Sequence, residues 1–107
     1  HADYVAHIDS QLKRLTDAGV VNSLIIYNRI PGTRDGSPLV HPGTDLAKSP
    51  FRVGAFNLAT AEGVRVYRAA IEFLADRYSD PKSGHGLAKR FIIGNEVQSH
   101  WHWYNLG

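Results

Sequence analysis

The sequence predicts an α/β fold in which two helices alternate with two buried strands. Apolar residues recur at helical spacing in residues 4–15 and 61–78, and a short, almost entirely apolar run follows each of these segments. Strands that alternate with helices of this length are typical of parallel sheets with crossover helices. The order helix, strand, helix, strand therefore indicates a segment of a parallel α/β domain.

The first predicted helix separates apolar from charged residues. Its apolar stripe consists of Tyr4, Val5, Ile8, Leu12 and Leu15, and its outer face carries Asp3, Asp9, Lys13 and Arg14. We expect the helix to end at Gly19, because glycine readily takes the left-handed conformation that closes helices. Residues 20–27 then form a nearly continuous apolar run, which predicts a strand buried on both faces.

Residues 28–57 are predicted to form a long loop. Pro31-Gly32, Asp35-Gly36 and Pro42-Gly43 interrupt each stretch that would otherwise become regular. Loops of this size in compact domains usually bind something or are disordered. The ionisable residues that make function plausible here are Arg29, Arg34, Asp35, His41, Asp45 and Arg52.

The second predicted helix spans residues 61–78. Its apolar stripe is Val64, Tyr67, Ile71, Leu74 and Tyr78, and its outer face carries Arg65, Arg68, Glu72 and Asp76. Thr60 is a suitable N-cap, and Asp80-Pro81 should end the element. The second strand follows at Phe91-Ile92-Ile93 and closes at Gly94-Asn95-Glu96.

Composition excludes several classes of function. The chain has 107 residues, a formal net charge of +2 and no cysteine. Its basic residues are scattered, so no nucleic-acid partner is expected, and its apolar runs are too short to cross a membrane. Without cysteine there are no disulfides or thiolate metal sites. Gly84-His85-Gly86 follows a helix rather than a strand, so it is not a phosphate loop, and we expect no cofactor.

The two strands need more protein than the two helices supply. Both strands place apolar side chains on both faces, whereas two amphipathic helices cover about one face. Two strands alone are also marginally stable. We therefore expect residues 1–107 to be a single segment of a larger α/β domain, or to assemble with another chain.

The most informative stretch is the end of the second strand. Asn95 and Glu96 follow a buried strand, and Trp101, Trp103 and Tyr104 come soon after. Ligands of α/β proteins bind at the carboxyl edge of the sheet. Asn28, which follows the first strand, would lie at the same edge. It is a candidate substrate-binding residue, with turn formation and solvation as the alternative.

An apolar strand that closes in Gly94-Asn95-Glu96 resembles the fourth strand of the retaining glycoside hydrolases with a (β/α)8 barrel, commonly called clan A. The resemblance implies a partial (β/α)8 TIM barrel running from its second helix to its fourth strand. It also implies that Glu96 is the general acid/base and that Asn95 orients the substrate. The alternatives are that Glu96 caps the next helix or pairs with an arginine, and that Asn95 is a turn residue. Val97 stands where many members have proline, which is consistent with a bacterial barrel family of unassigned activity.

Physical chemistry supports a glutamate in this place. Glycoside hydrolysis needs a carboxylic acid that is still protonated near neutral pH, and burial can raise a glutamate pKa to about 6. Retention also needs a nucleophilic carboxylate about 5–5.5 Å away. The resemblance implies that this nucleophile comes from the seventh strand, in the remainder of the barrel. The segment alone is therefore expected to be inactive.

The residues after Glu96 have more than one interpretation. Trp101, Trp103 and Tyr104 can stack on sugar rings or pack a loop on the barrel rim. His100 and His102 can hydrogen-bond to sugar or bind zinc, but no further ligand stands at confirming spacing, so no metal is expected.

The leading hypothesis is thus retaining hydrolysis of a polysaccharide or oligosaccharide. The alternatives are a non-catalytic carbohydrate-binding or interaction module and, more weakly, a metal-dependent hydrolase. Localisation is open, although a polysaccharide hydrolase would be secreted or periplasmic.

Overall fold

The computed structural model describes residues 2–30, 37–45, 47 and 52–94. Within these ranges the chain is a mixed α/β fold with two helices and two small sheets. The elements are α1 (Ala2–Asp17), β1 (Asn22–Ile26), β2 (Asn28–Arg29), β3 (Val53–Gly54), α2 (Ala61–Tyr78) and β4 (Ala88–Ile93). The predicted alternation of helices with β1 and β4 is confirmed.

The chain divides into two compact units. Unit 1 contains the described residues of His1–Ile25 and Ile71–Ile92, and unit 2 contains those of Ile26–Ala70 and Ile93–Gly107. None of the described helices is both long enough and apolar enough to cross a membrane.

The core of unit 1 forms between α1, the second half of α2 and the first sheet. Its buried residues are Leu12, Tyr78 and Ala88, and the side chains that pack against them are Ile8, Leu24, Leu74 and Phe91. Tyr4 and Leu15 were predicted to lie on the apolar stripe of α1, but they are 71% and 40% exposed. The stripe that faces the core contains Asp9 and Thr16 instead, because both stand at helical spacing from Leu12.

The end of α1 follows the prediction. Gly19 has a φ of 77°, and its N–H donates to Thr16 O at 2.9 Å while Val20 N–H donates to Leu15 O at 2.9 Å. These two bonds form a Schellman motif, which satisfies carbonyls that the last turn of the helix leaves without partners.

β1 and β4 pair side by side in the first sheet. At their amino ends the Asn22 side-chain amide donates to Leu87 O at 3.1 Å, and at their carboxyl ends Gly94 N–H donates to Ile26 O at 3.1 Å. The strands therefore run parallel, as predicted.

One face of the first sheet is packed and the other is open. Leu24 and Phe91 contact the core, whereas Ile25 and Ile92 are 45% and 42% exposed. The described residues thus cover about one face of these strands and leave the other face exposed, as the sequence predicted.

The second sheet corrects the prediction of an uninterrupted loop over residues 28–57. β2 pairs antiparallel with β3, with Asn28 opposite Gly54 and Arg29 opposite Val53, and an isolated bridge joins Val40 to Phe56. Strands of two residues have no recognisable period, and their partners are distant in sequence, so the pattern did not reveal them.

The start of α2 was predicted correctly. Thr60 Oγ1 accepts a bond from Gly63 N–H at 3.1 Å, which is the geometry of an N-cap. The same oxygen accepts from the Asn57 side-chain amide at 2.8 Å, and this amide also donates to Pro38 O at 3.0 Å. The N-cap is thereby tied to the segment that precedes Val40.

Candidate functional site

The candidate site is the carboxyl edge of the first sheet, where β1 and β4 end. Because Gly94 N–H donates to Ile26 O, the chain leaves β4 beside the point at which β1 ends. Asn28 comes two residues after Ile26 and is 5% exposed. Asn28 and Gly94 therefore follow neighbouring strands at one sheet edge, where ligands of α/β proteins bind.

Most of the predicted site residues lie outside the described ranges. These residues are Asn95, Glu96, His100, Trp101, His102, Trp103 and Tyr104. The roles assigned to them stay predictions. The structure describes the strand that leads to them, up to Gly94.

Asn28 links three segments of unit 2. Its side-chain amide nitrogen donates to Leu39 O at 2.8 Å and to Ala55 O at 3.0 Å. An amide nitrogen carries two hydrogens, so both are used by these bonds. A substrate contact from this side chain would therefore have to involve Oδ1.

A second polar group, in unit 1, was missed by the sequence analysis. Arg77 Nε donates to Asp9 Oδ1 at 2.8 Å, and Arg77 Nη2 donates to Asp9 Oδ2. Tyr78 OH donates to Asp9 Oδ1 at 2.9 Å. The prediction that Asp9 lies on the outer face of α1 is wrong, because its side chain is 17% exposed. Its position one residue after Ile8 and three before Leu12 was the signal that places it on the core stripe.

His85 completes this group, which we call the Asp9 cluster (Asp9, Arg77, Tyr78 and His85). His85 Nδ1 lies 3.3 Å from both Asp9 Oδ2 and Arg77 Nη2. When Nδ1 is protonated it can donate to Asp9, and when it is not it can accept from Arg77.

An open hollow of about 390 Å³ lies beside the Asp9 cluster. Its lining residues are Phe73, Asp76, Arg77, Ser83 and His85. The Arg77 guanidinium carbon also lies 5.7 Å from the centre of the Phe73 ring, so this cation contacts an aromatic face as well as Asp9. The Asp9 cluster therefore joins three parts of unit 1 through side-chain contacts: α1, α2 and the turn before β4.

The Asp9 cluster shifts the pKa values of its members. The hydrogen bond from Arg77 lowers the pKa of Asp9 from 3.8 to about 2, against the opposing effect of burial. Burial, and then the bond to Asp9, raises the pKa of Tyr78 to about 12. The carboxylate is therefore ionised and the phenol neutral at neutral pH, which suits a structural ion pair.

The Asp9 cluster predicts a loss of stability in acid. The pKa of Asp9 is lower in the folded state, so its contribution is complete above the unfolded value of 3.8 and is lost as the pH falls towards 2. The shift corresponds to about 2 kcal/mol. Urea denaturation at a series of pH values from 6 to 2.5 measures the free energy of unfolding. This free energy should decline more steeply with falling pH for the natural sequence than for Asp9→Asn. An equal decline in the two proteins would contradict a stabilising role for the Asp9 carboxylate.

Among residues 2–30, 37–45, 47 and 52–94, no group of three or more His, Cys, Asp or Glu side chains is placed to hold a metal ion. His100 and His102 lie outside these ranges.

Comparison with known proteins gives a family. The family described as "Family of unknown function (DUF5722)" matches residues 1–107. The chain belongs to DUF5722. No curated protein and no solved structure matches this DUF5722 chain. The match covers the predicted site residues, including Glu96 and the aromatic residues after it.

Proposed function

We propose that this DUF5722 chain is part of a retaining glycoside hydrolase in which Glu96 is the general acid/base and Asn95 orients the substrate. The observation that carries the proposal is the bond from Gly94 N–H to Ile26 O. This bond holds the end of β4 beside the end of β1, at the sheet edge where α/β proteins bind their ligands.

The proposal includes a (β/α)8 barrel of which β1 and β4 are neighbouring strands. Their parallel pairing, with α2 between them in the sequence, is the connection that such a barrel repeats. The exposed Ile25 and Ile92 support it as well. The interior of a barrel is filled by layers of branched side chains from several strands, and these two residues would contribute to such layers.

The proposal gives each residue at this edge a separate chemical role. Glu96 donates a proton to the leaving oxygen and later takes one from water, while a carboxylate from the remainder of the barrel attacks the anomeric carbon. Trp101, Trp103 and Tyr104 would present aromatic faces to the sugar rings, and His100 and His102 would hydrogen-bond to hydroxyl groups.

Replacing Glu96 by glutamine tests this assignment. In the complete polypeptide that carries this chain, we expect Glu96→Gln to lower turnover of natural glycosides by about 100-fold or more, since general acid catalysis contributes about that much. Cleavage of aryl glycosides with good leaving groups should fall less in its first step, because those groups need little protonation. Glu62→Gln is the matched control, because Glu62 is 69% exposed on α2.

The other outcomes separate the alternatives. Unchanged turnover in Glu96→Gln would overturn the assignment of Glu96. Saccharide binding by the complete protein without any turnover would instead favour a carbohydrate-binding module. Activity that disappears with a chelator and with substitution of His100 and His102 would favour a metal-dependent hydrolase.

A further inference from the structure

The open hollow beside the Asp9 cluster brings several kinds of side chain together. Its lining residues, Phe73, Asp76, Arg77, Ser83 and His85, belong to α2 and to the turn before β4. Arg77 connects two of the others, because its guanidinium carbon lies 5.7 Å from the centre of the Phe73 ring and its Nη2 lies 3.3 Å from His85 Nδ1. Ser83 Oγ accepts a bond from His85 N–H at 3.3 Å. These contacts hold the lining side chains in position in the free protein, which lowers the cost of binding a ligand.

The hollow offers hydrogen-bonding groups that the Asp9 cluster does not use. Arg77 contacts Asp9 and His85 through Nε and Nη2, so the two N–H groups of Nη1 take no part in these bonds. His85 uses Nδ1 in the cluster, its Nε2 is not involved, and its side chain is 37% exposed. Ser83 Oγ is an acceptor in its bond to His85, so its hydroxyl hydrogen can be donated to a ligand.

A carboxylate and an aromatic ring complete the lining. Asp76 is exposed, and within the ranges that the structure describes its carboxylate has no hydrogen-bond or ion-pair partner. Phe73 is 46% exposed, so part of its ring remains accessible beside Arg77. The hollow therefore combines donors, a charged acceptor and an apolar surface within one small space.

The charges at the hollow count against three classes of ligand. An anion would be repelled by Asp76 and by the ionised Asp9 that binds Arg77. A cation would meet the guanidinium of Arg77, which stays protonated. An apolar ligand would remove water from Asp76 and Arg77 without replacing their hydrogen bonds, which costs free energy. The remaining class is a neutral ligand whose polar groups both donate and accept hydrogen bonds.

We propose that this hollow binds a neutral saccharide. Sugar hydroxyl groups donate and accept, so they can contact Asp76, Arg77 and His85, while the C–H face of a sugar ring packs on Phe73. The volume of about 390 Å³ lies at the small end of the range for ligand pockets, which suits a short part of a longer glycan. The site goes beyond the proposed function and is independent of it, because it includes none of the residues assigned to hydrolysis.

NMR titration of the complete polypeptide that carries this chain tests the proposal. The neutral probes are methyl glucoside, methyl galactoside and methyl mannoside. Methyl glucuronide, aminoethyl glucoside and cyclohexanol are the anionic, cationic and apolar comparisons. At constant pH, we expect at least one neutral glycoside to shift the ring signals of His85, with a dissociation constant on the order of 1 mM. His85→Gln identifies those signals by their disappearance.

Substitutions of two exposed residues test the contacts. Asp76→Ala should weaken binding of the neutral glycoside by about 10-fold or more, because a hydrogen bond to a charged group is lost. Phe73→Ala should weaken it by about 3-fold to 10-fold through loss of the aromatic face. Asp3→Ala is the matched control and should leave binding unchanged, because Asp3 is an exposed carboxylate of the same unit that does not line the hollow.

A change of charge gives an independent readout. Asp76→Asn keeps the size of the side chain and removes its negative charge, so methyl glucuronide should bind this variant about 5-fold more tightly than it binds the natural sequence. A purely structural role for Asp76 would not produce that gain. The proposal is overturned if no neutral glycoside shifts the His85 signals, if a charged or apolar probe binds the natural sequence more tightly than every neutral glycoside, or if Asp76→Ala leaves the affinity unchanged.

Discussion

Gly86→Ala is expected to destabilise the protein by about 3 kcal/mol. Gly86 has a φ of 92°, which L side chains rarely adopt, and a Cβ there would lie less than 3.0 Å from the backbone of Leu12 and Lys13 in α1. Left-handed strain and overpacking against backbone each cost about 1–3 kcal/mol. Urea denaturation of the natural sequence and the variant measures the difference.

Gly84→Ala is the control for that prediction. Gly84 has a similar φ of 78°, but nothing lies within 4 Å of the position that its Cβ would occupy. Its substitution should cost only the backbone strain, about 1–2 kcal/mol. Equal losses at the two positions would show that the turn before β4 does not depend on close contact with α1.

Asp9→Ala is the second substitution with a large expected effect, a loss of about 3 kcal/mol. It leaves the Arg77 guanidinium and the Tyr78 hydroxyl without their partner, and their residues are largely buried. Breaking a buried pair by removing one member is strongly destabilising. Thermal and urea denaturation provide the measurement.

Asp17→Ala is the matched control on the same helix. Asp17 pairs with Lys13 at 2.7 Å, but both side chains are more than half exposed, so the expected loss is below about 1 kcal/mol. Arg77→Lys should fall between the two, because lysine keeps the charge and loses the fork that contacts both carboxylate oxygens. If Asp9→Ala and Asp17→Ala cost the same, the Asp9 cluster is not a structural link.

The features predicted well depend on local chemistry. The limits of α2 follow from the Thr60 cap and the apolar period, and the end of α1 follows from Gly19. These signals involve residues within one or two turns of each other, so the sequence displays them directly.

The features missed depend on partners that are far apart in the chain. Asp9 was assigned to the outer face of α1 because its charge was weighed without Arg77, its partner on α2. The β2–β3 pair was missed for the same reason. Of the candidate site, the sequence predicted the strand and its edge. The role proposed for Glu96 comes from a resemblance, because the carboxylate that would act with it is assigned to another part of the proposed barrel.

The hydrogen bonds at both ends of the β1–β4 pair also limit where residues can be inserted or deleted during evolution. Bonds at Asn22–Leu87 and at Ile26–Gly94 fix the register of the strands. Deleting one residue between them would exchange the faces of Phe91 and Ile92 and so disrupt the packing of Phe91 on the core. Insertions and deletions in relatives should accumulate between β2 and β3, where the length of chain does not set this register.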